Sequence, residues 1–258
     1  MIDTHAHLHA EAFAQDRDAV VERLRSAGVR NVINVGCDVA DSAAAIEIAK
    51  RYGMFASVGI HPHEATGAPD DLVSAFSPLL ANAEAIAIGE TGLDYYYNHS
   101  PRERQQNVLR EHIRLARTRK LPVIFHHRDA FDDFTTILRE EWDADMCGVV
   151  HCFTGNVHQA RTFVEGFGLY LGIGGVLTFK TAQPLRDAVA AVGLGPLVLE
   201  TDCPYLAPVP HRGKRNEPAF VAQTAAALAE VLKLTTEEIV TASSIAAQTV
   251  FGPRVLNP

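Results

Sequence analysis

Asp3-Thr4-His5-Ala6-His7 stands almost at the start of the chain, and its two imidazoles lie two residues apart around a small alanine. On a strand, residues at i and i+2 face the same way, so this segment offers two nitrogen donors to one cation. A lone His-x-His is weak evidence, but four later segments repeat the theme. Gly89-Glu90, Phe125-His126-His127, Val150-His151-Cys152 and Leu199-Glu200-Thr201-Asp202 each finish an apolar run with a histidine or a carboxylate. Buried without partners, such groups would cost on the order of 2 to 7 kcal/mol each, and more when charged. A bound metal offsets that cost, and mutual salt bridges do so only in part.

Two ions suit this donor count better than one. His5, His7 and Asp202 are assigned to the first ion and His126 and His151 to the second. Glu90 bridges them, because the two oxygens of a carboxylate can span ions about 3.5 to 4 Å apart. Imidazole-rich ligation favours zinc, manganese or a similar transition ion, and a carboxylate-bearing site also accepts magnesium at higher concentration.

His61-Pro62-His63 adds two imidazoles at the end of another apolar run, and both are expected to contact substrate. Asp94 and Tyr95 follow Gly92 in an expected loop, where they read equally as ligand-positioning groups and as turn caps. Past Asp202, prolines 204, 208 and 210 stiffen a loop that carries Arg212, Lys214 and Arg215. Guanidinium forks suit phosphate oxygens, so this loop and Arg128 are candidate phosphate-binding elements. His9, His99, His112 and His158 read as ordinary solvated histidines. Cys152 and Cys203 each directly follow a proposed ligand, so a regular ladder would turn them away from the ions. The chain has neither a Gly-x-Ser-x-Gly elbow nor a Walker phosphate loop. Water activated by metal is therefore the expected nucleophile, with Glu90 or Asp202 taking its proton.

Positioning such donors requires a frame in which many strands end at one place. Strands are expected at Ile2 to His7, Val32 to Gly36, Phe55 to Ile60, Ala85 to Gly89, Pro122 to His126, Gly148 to His151, Leu169 to Ile173 and Leu197 to Glu200. Amphipathic helical patterns separate them, and two more helices, about Pro218 to Leu232 and Thr236 to Gln248, close the chain. Ser100-Pro101 reads as a cap and first-turn proline, and Thr235 to Glu238 as a helix start with hydroxyls and acids. Eight alternations in about 250 residues predict an α/β fold, a (β/α)8 TIM barrel, with one domain over 1–258. A doubly wound sheet would want a Gly-rich turn where His-Ala-His stands.

Of the 258 residues, 47% are hydrophobic and 21% charged, which excludes disordered and collagen-like classes. No apolar run is long enough to cross a bilayer, and the start offers no leader, so a cytoplasmic location away from membranes is expected. The four cysteines, without Cys-x-x-Cys spacing, are expected to be reduced thiols. A net charge of -8 argues against a broad basic surface for duplex nucleic acid but leaves room for a local basic patch and for bound cations. The 12 histidines are more informative, because they cluster with acids at recurring places.

These motifs resemble the TatD family of metal-dependent deoxyribonucleases, within the amidohydrolase-like metal hydrolases. The matching segments are Asp3 to Leu8, Gly59 to His63, Ala87 to Tyr96, His126 to Arg128, His151 to Gly155, Glu200 to Leu206 and Arg212 to Pro218, in the family's order. The resemblance implies a barrel and divalent-metal-dependent hydrolysis of DNA, often 3′-5′ from single-stranded or 3′ ends. It also implies ligand roles for His5, His7, Glu90, His126, His151 and Asp202. His9 departs from the acidic residue common after His-Leu, and Ala246 from a frequent asparagine. The first bears on the surroundings of the metal site, the second on how the last helix seats. A monomer is among the expected assemblies. The competing expectations are a barrel hydrolase acting on an amide, lactone or phosphotriester, and a metal-stabilised binding protein without turnover. The former class commonly carries a bridging lysine where Glu90 stands, and the basic loop favours an anionic substrate.

Overall fold

A computed structural model describes residues 1–256, so the last two positions of the expected 1–258 domain lie outside the described residues. Eight strands form one parallel sheet in chain order: β1 Ile2–Ala6, β2 Asn31–Val35, β3 Phe55–Val58, β4 Ala85–Asp94, β5 Val123–Arg128, β6 Gly148–Val150, β7 Tyr170–Ile173 and β8 Leu197–Leu199. Each run is rich in valine, isoleucine or alanine, as strands covered on both faces require. Between them run α1 Arg17–Ser26, α2 Val39–Tyr52, α3 Leu72–Leu80, α4 Arg102–Arg119, α5 Phe131–Glu141, α6 Val157–Arg161 and α7 Gln183–Val192. The helices α8 Val221–Leu232 and α9 Thr236–Phe251 follow β8. The sheet curls until β8 meets β1 through a parallel bridge between Ala6 and Cys203, with His7 N donating to Cys203 O at 2.8 Å and Asp202 N to His5 O at 2.9 Å. The (β/α)8 barrel expected from the alternation is the fold.

Strand alternation then divides the interior into an apolar end and a polar end. Ile124 and His126 are two apart on β5, and the same spacing relates Val149 to His151 and Val198 to Glu200. In each pair the first residue joins an apolar cluster with Ala246, Ala247, Val250 and Phe251 of α9. The second residue lies at the C-terminal end of the strand, the face where barrels carry their sites. Ala246 is thus part of the plug, where its methyl needs no polar partner.

Three local features depart from the sequence expectations. The fourth strand continues past Gly89 to Asp94, with its register against β5 irregular between Ile88 and Thr91. Gly92 makes this continuation feasible: its φ is +153°, and a Cβ there would stand 1.9 Å from His126 O. Ser100 does not cap α4. Its hydroxyl donates to His63 O at 2.7 Å and accepts from Thr66 N at 3.0 Å, so it ties down the loop after β3. Thr235 does cap α9, in a reciprocal pair with Glu238.

The third departure is His112, which is buried rather than solvated. Its Nε2 accepts from Ile60 N at 3.1 Å and its Nδ1 donates to Val108 O at 2.8 Å, so α4 holds the chain just before His61. Burial pulls the imidazole down to about 4. Folded His112 is neutral, and its stabilising contribution is intact above its unfolded value near 6.5 and lost as pH falls toward 4. The difference amounts to about 3 kcal/mol. Thermal unfolding followed by circular dichroism is expected to show the advantage of the native protein over a His112→Gln variant shrinking across that window. A constant difference would contradict the buried neutral state.

Candidate metal centre

Glu90, at the irregular turn of β4, is the hub of the polar end, and its side chain is only 3% exposed. Its Oε2 faces His5 Nε2 at 3.3 Å. Its Oε1 faces His151 Nε2 at 2.7 Å, His126 Nδ1 at 3.0 Å and His61 Nε2 at 3.6 Å. On the His5 side, Asp202 Oδ1 stands 3.8 Å from His5 Nε2 and 3.5 Å from His7 Nε2. The six residues expected as ligands therefore meet, with one Glu90 oxygen turned to each half of the set. Donor atoms of His5, His7 and Glu90, of His5, His151 and Asp202, and of His61, Glu90 and His126 each lie within 4.8 Å of one another.

Hydrogen bonds on the far side of the rings decide which nitrogens are free. His7 Nδ1 donates to Val35 O at 2.8 Å, which leaves the Nε2 lone pair for an ion. His126 Nε2 faces Asp94 Oδ2 at 3.1 Å, which leaves Nδ1 turned to Glu90. His5 is fully buried, and neither of its nitrogens has a hydrogen-bond partner. That orphaned, desolvated imidazole, stacked on His151 with ring centroids 3.9 Å apart, is what a cation would satisfy. The donor set of imidazoles and two carboxylates thus fits divalent metal.

The carboxylates are held ready for cations. Burial alone would raise Glu90, but the His151, His61 and His5 rings and the hydrogen bond from His126 outweigh it and hold the group well below the usual carboxylate range. Burial likewise opposes ionisation of Asp202, and its hydrogen bond with His7 and the nearby His5 and His151 more than compensate. Burial also pulls His61 down to about 3, so its ring is neutral. His61 Nδ1 accepts from His63 N at 3.1 Å, so the proton of the neutral ring sits on Nε2. His61 therefore presents a donor to the centre rather than a lone pair.

Several supporting residues carry weaker sequence signals. Asp94 does both things its motif allowed: Oδ1 accepts from Tyr96 N and Tyr97 N, and Oδ2 faces His126 and His63 Nε2, the latter at 2.9 Å. These contacts and burial act in opposite senses, and the contacts hold Asp94 low. Asp3 grips the start of the Asp202 loop, accepting from Thr201 N at 2.9 Å and Thr201 Oγ1 at 2.6 Å. Asn216 reaches the same loop, donating to Thr201 O at 2.8 Å and Tyr205 O at 2.6 Å. Glu200, fully buried, accepts from Cys152 N and lies 3.7 Å from His151 Nδ1. Only its place beside Asp202 in the motif hinted at it. Cys152 does not follow a regular ladder, since its φ is +43°. Burial and the Asp202, Glu200 and Glu90 carboxylates push its thiol well up, which leaves it protonated and unreactive.

The centre floors a cavity of about 620 Å³, lined also by His61, His63, Arg128, Tyr97 and Tyr205. Arg128 lies 4.1 Å above the Tyr96 ring and 4.7 Å from that of Tyr97. The basic loop differs from expectation, because Arg212, Lys214 and Arg215 are not among the lining residues. Arg212 is stacked 4.0 Å over Phe179. Arg215 is taken up by Asp16, through contacts of 2.7 Å, and by Glu217 at 2.9 Å. Its guanidinium pairs with carboxylates of the same fold, and Lys214 is left on the exposed surface.

A family profile described as TatD related DNase matches residues 2–252. The chain is 39% identical over 252 residues to the uncharacterized metal-dependent hydrolase YabD of Bacillus subtilis, covering 97% of this chain and 98% of that one. It is 37% identical to the 3'-5' ssDNA/RNA exonuclease TatD of Cronobacter sakazakii, covering 86% of each. The crystal structure of YjjV, a TatD homologue from Escherichia coli, superposes with a TM-score of 0.91 at 32% identity over 98% of both chains.

Asp94 offers a clean test of the geometry around His126. In Asp94→Asn the turn contacts to Tyr96 and Tyr97 can persist, while the anionic partner of His126 is lost. Ion affinity measured by competition with a chromophoric chelator is expected to fall about 10- to 100-fold. Unchanged affinity would mean that His126 Nδ1 does not face an ion.

Proposed function

The chain belongs to the TatD-related DNase family and is a metal-dependent hydrolase, and we propose that within this class it removes nucleotides 3′-5′ from single-stranded DNA ends with two divalent ions of zinc, manganese or magnesium. The observation that carries this reading is the Glu90 carboxylate, one oxygen on the His5 side and the other between His126 and His151. His5, His7 and Asp202 would hold one ion, His126 and His151 the other, and Glu90 both. Divalent ions so held supply Lewis acidity to a phosphoryl oxygen and lower the pKa of water.

The chain's own groups do the rest. Asp202, at 14% exposed against 3% for Glu90, is the carboxylate open to the cavity and the better placed to take a proton. His61 Nε2–H and the Arg128 guanidinium are donors suited to phosphate oxygens. Tyr97 and Tyr205, 52% and 61% exposed, offer aromatic faces on which unstacked bases can rest. A cavity of this size with such faces suits a chain end better than a duplex, and the relative from Cronobacter sakazakii is named for that activity. The four unpaired cysteines favour action in the reducing cytoplasm. Among the described residues no helix is long and apolar enough to cross a membrane.

With manganese and a 5′-labelled single-stranded oligonucleotide, stepwise shortening of the labelled strand from its 3′ end is expected, and a chelator should stop it. Glu90→Gln and Asp202→Asn should each lower the rate about 100-fold or more. Wild-type rates in either variant, or turnover of amide or lactone panels in place of the oligonucleotide, would overturn the reading.

A further inference from the structure

Exposed apolar side chains gather at the cavity mouth. Tyr97, Tyr205 and Leu206 line it, and Val209 follows, uncovered, on the same proline-stiffened loop. Leu206 has a φ of +54°, a conformation that few residues with a side chain adopt and that the surroundings must enforce. They do so through the backbone. Tyr205 N donates to Asp202 O at 2.9 Å, and Tyr205 O accepts from Asn216 Nδ2 at 2.6 Å. Leu206 O packs onto Gly175, where a Cβ would stand 2.4 Å away, and Val209 N donates to Thr178 Oγ1 at 2.9 Å. A strained turn that is pinned on both sides, yet leaves its apolar side chains uncovered, is poorly explained by packing within the fold. The opposite side of the mouth differs. Tyr97 shares its ring with the Arg128 guanidinium, 4.7 Å away, and lies parallel to His99 with centroids 5.6 Å apart. Among the described residues, the one aromatic neighbour of Tyr205 is His7, 6.2 Å away and turned by 68°, which leaves at least one face of the tyrosine bare.

We propose that Tyr205 and Leu206 form a fixed platform for the base of the penultimate nucleotide, the one on the 5′ side of the scissile phosphate. The inference rests on the nuclease reading above and adds to it which base is held, and by what. A phosphate drawn to the His7 side of the centre lies next to Tyr205, and a base joined to it through one sugar reaches the ring. The shape of the mouth sets the direction. Apolar exposure continues outward from Tyr205 through Leu206 to Val209, which suits a strand that goes on. The ring of Tyr97 is already shared with Arg128 and His99, which leaves that side to the final nucleotide. Such a platform reads the flat face that every base has, so it selects an unpaired strand of at least two nucleotides without selecting sequence. A base still stacked in a duplex cannot lie on it.

The test removes the base from the substrate and the ring from the enzyme in turn. Single-stranded oligonucleotides labelled at the 5′ end carry an abasic analogue at either the penultimate or the terminal position. Removal of the terminal nucleotide is followed as kcat/KM with manganese. Loss of the penultimate base is expected to lower the wild-type value about 10-fold or more. Tyr205→Ala should lower it by a similar factor on the intact strand and then be nearly indifferent to the penultimate base, because the two deletions remove one contact. On the strand lacking the terminal base, Tyr205→Ala should still cost its full factor. Tyr205→Phe, which keeps the aromatic face, should retain the wild-type pattern. Uptake of two equivalents of cobalt checks that Tyr205→Ala is folded, and Tyr205→Gln serves as a second deletion of the ring. Equal wild-type rates with and without the penultimate base overturn the platform, as does a penultimate effect that persists in full without the ring. Coupling of Tyr205 to the terminal base in place of the penultimate one overturns it too. In all three cases the nuclease reading stands. Failure of the wild-type protein to shorten any strand removes both.

Discussion

A carboxylate buried among imidazoles sets the terms for this barrel. Glu90 is nearly sealed from solvent, yet it faces His5 on one side and His126, His151 and His61 on the other. Such a cluster exists only if its desolvation is offset, and fixed partners at the periphery show how the fold prepares for that. Val35 O orients His7, Asp94 orients His126, and Asp3 with Asn216 fixes the loop that carries Asp202. Each contact comes from a different part of the barrel. The centre therefore depends on closure of the whole sheet, including the seam at Ala6 and Cys203.

Closure in turn depends on keeping the other end apolar. Side chains two residues below the site pack on α9, so the same strands that present donors above contribute aliphatic bulk beneath. A polar residue moved two positions down a strand would enter that plug, where a group without a partner costs several kcal/mol by the general scale for buried polar atoms. The short strands leave room for little else: β6 and β8 are three residues each, followed directly by His151 and by Glu200.

Residue type and spacing made much of this legible. His5 and His7 follow from strand alternation alone, and the eight expected strands lie close to those observed because each is an apolar run bounded by turn residues. What escaped depended on tertiary partners. His112 reads as one more polar residue on an amphipathic helix until Ile60 N is found against it. The continuation of β4 to Asp94 needs the close approach of Gly92 to the β5 backbone, which no local pattern announces. Arg215 looks like part of a phosphate cradle with Arg212 and Lys214 because the sequence does not show where opposite charges fold back on it. Asp16 precedes Arg215 by 199 positions, and their contact consumes the guanidinium.

That diversion of positive charge changes how an acidic protein can receive an anion. Glu90, Asp94 and Asp202, all held ionised, put three negative charges at the cavity floor, where the same contacts raise His7, His126 and His151 toward the protonated form, and with Arg215 spent elsewhere Arg128 is the guanidinium among the lining residues. Taken alone, this paired charge offers phosphate little net attraction. Two divalent cations taking the place of those protons would set four positive charges against the three negative ones. Attraction of substrate and the chemistry on it would then have the same origin. A broad basic surface that grips the polymer at many phosphates would make affinity fall steeply with salt. A centre that draws a single phosphate through buried cations is screened much less. The net charge of -8 is accordingly no obstacle to a nucleic-acid end as substrate, because attraction is confined to the one place where ions can be held.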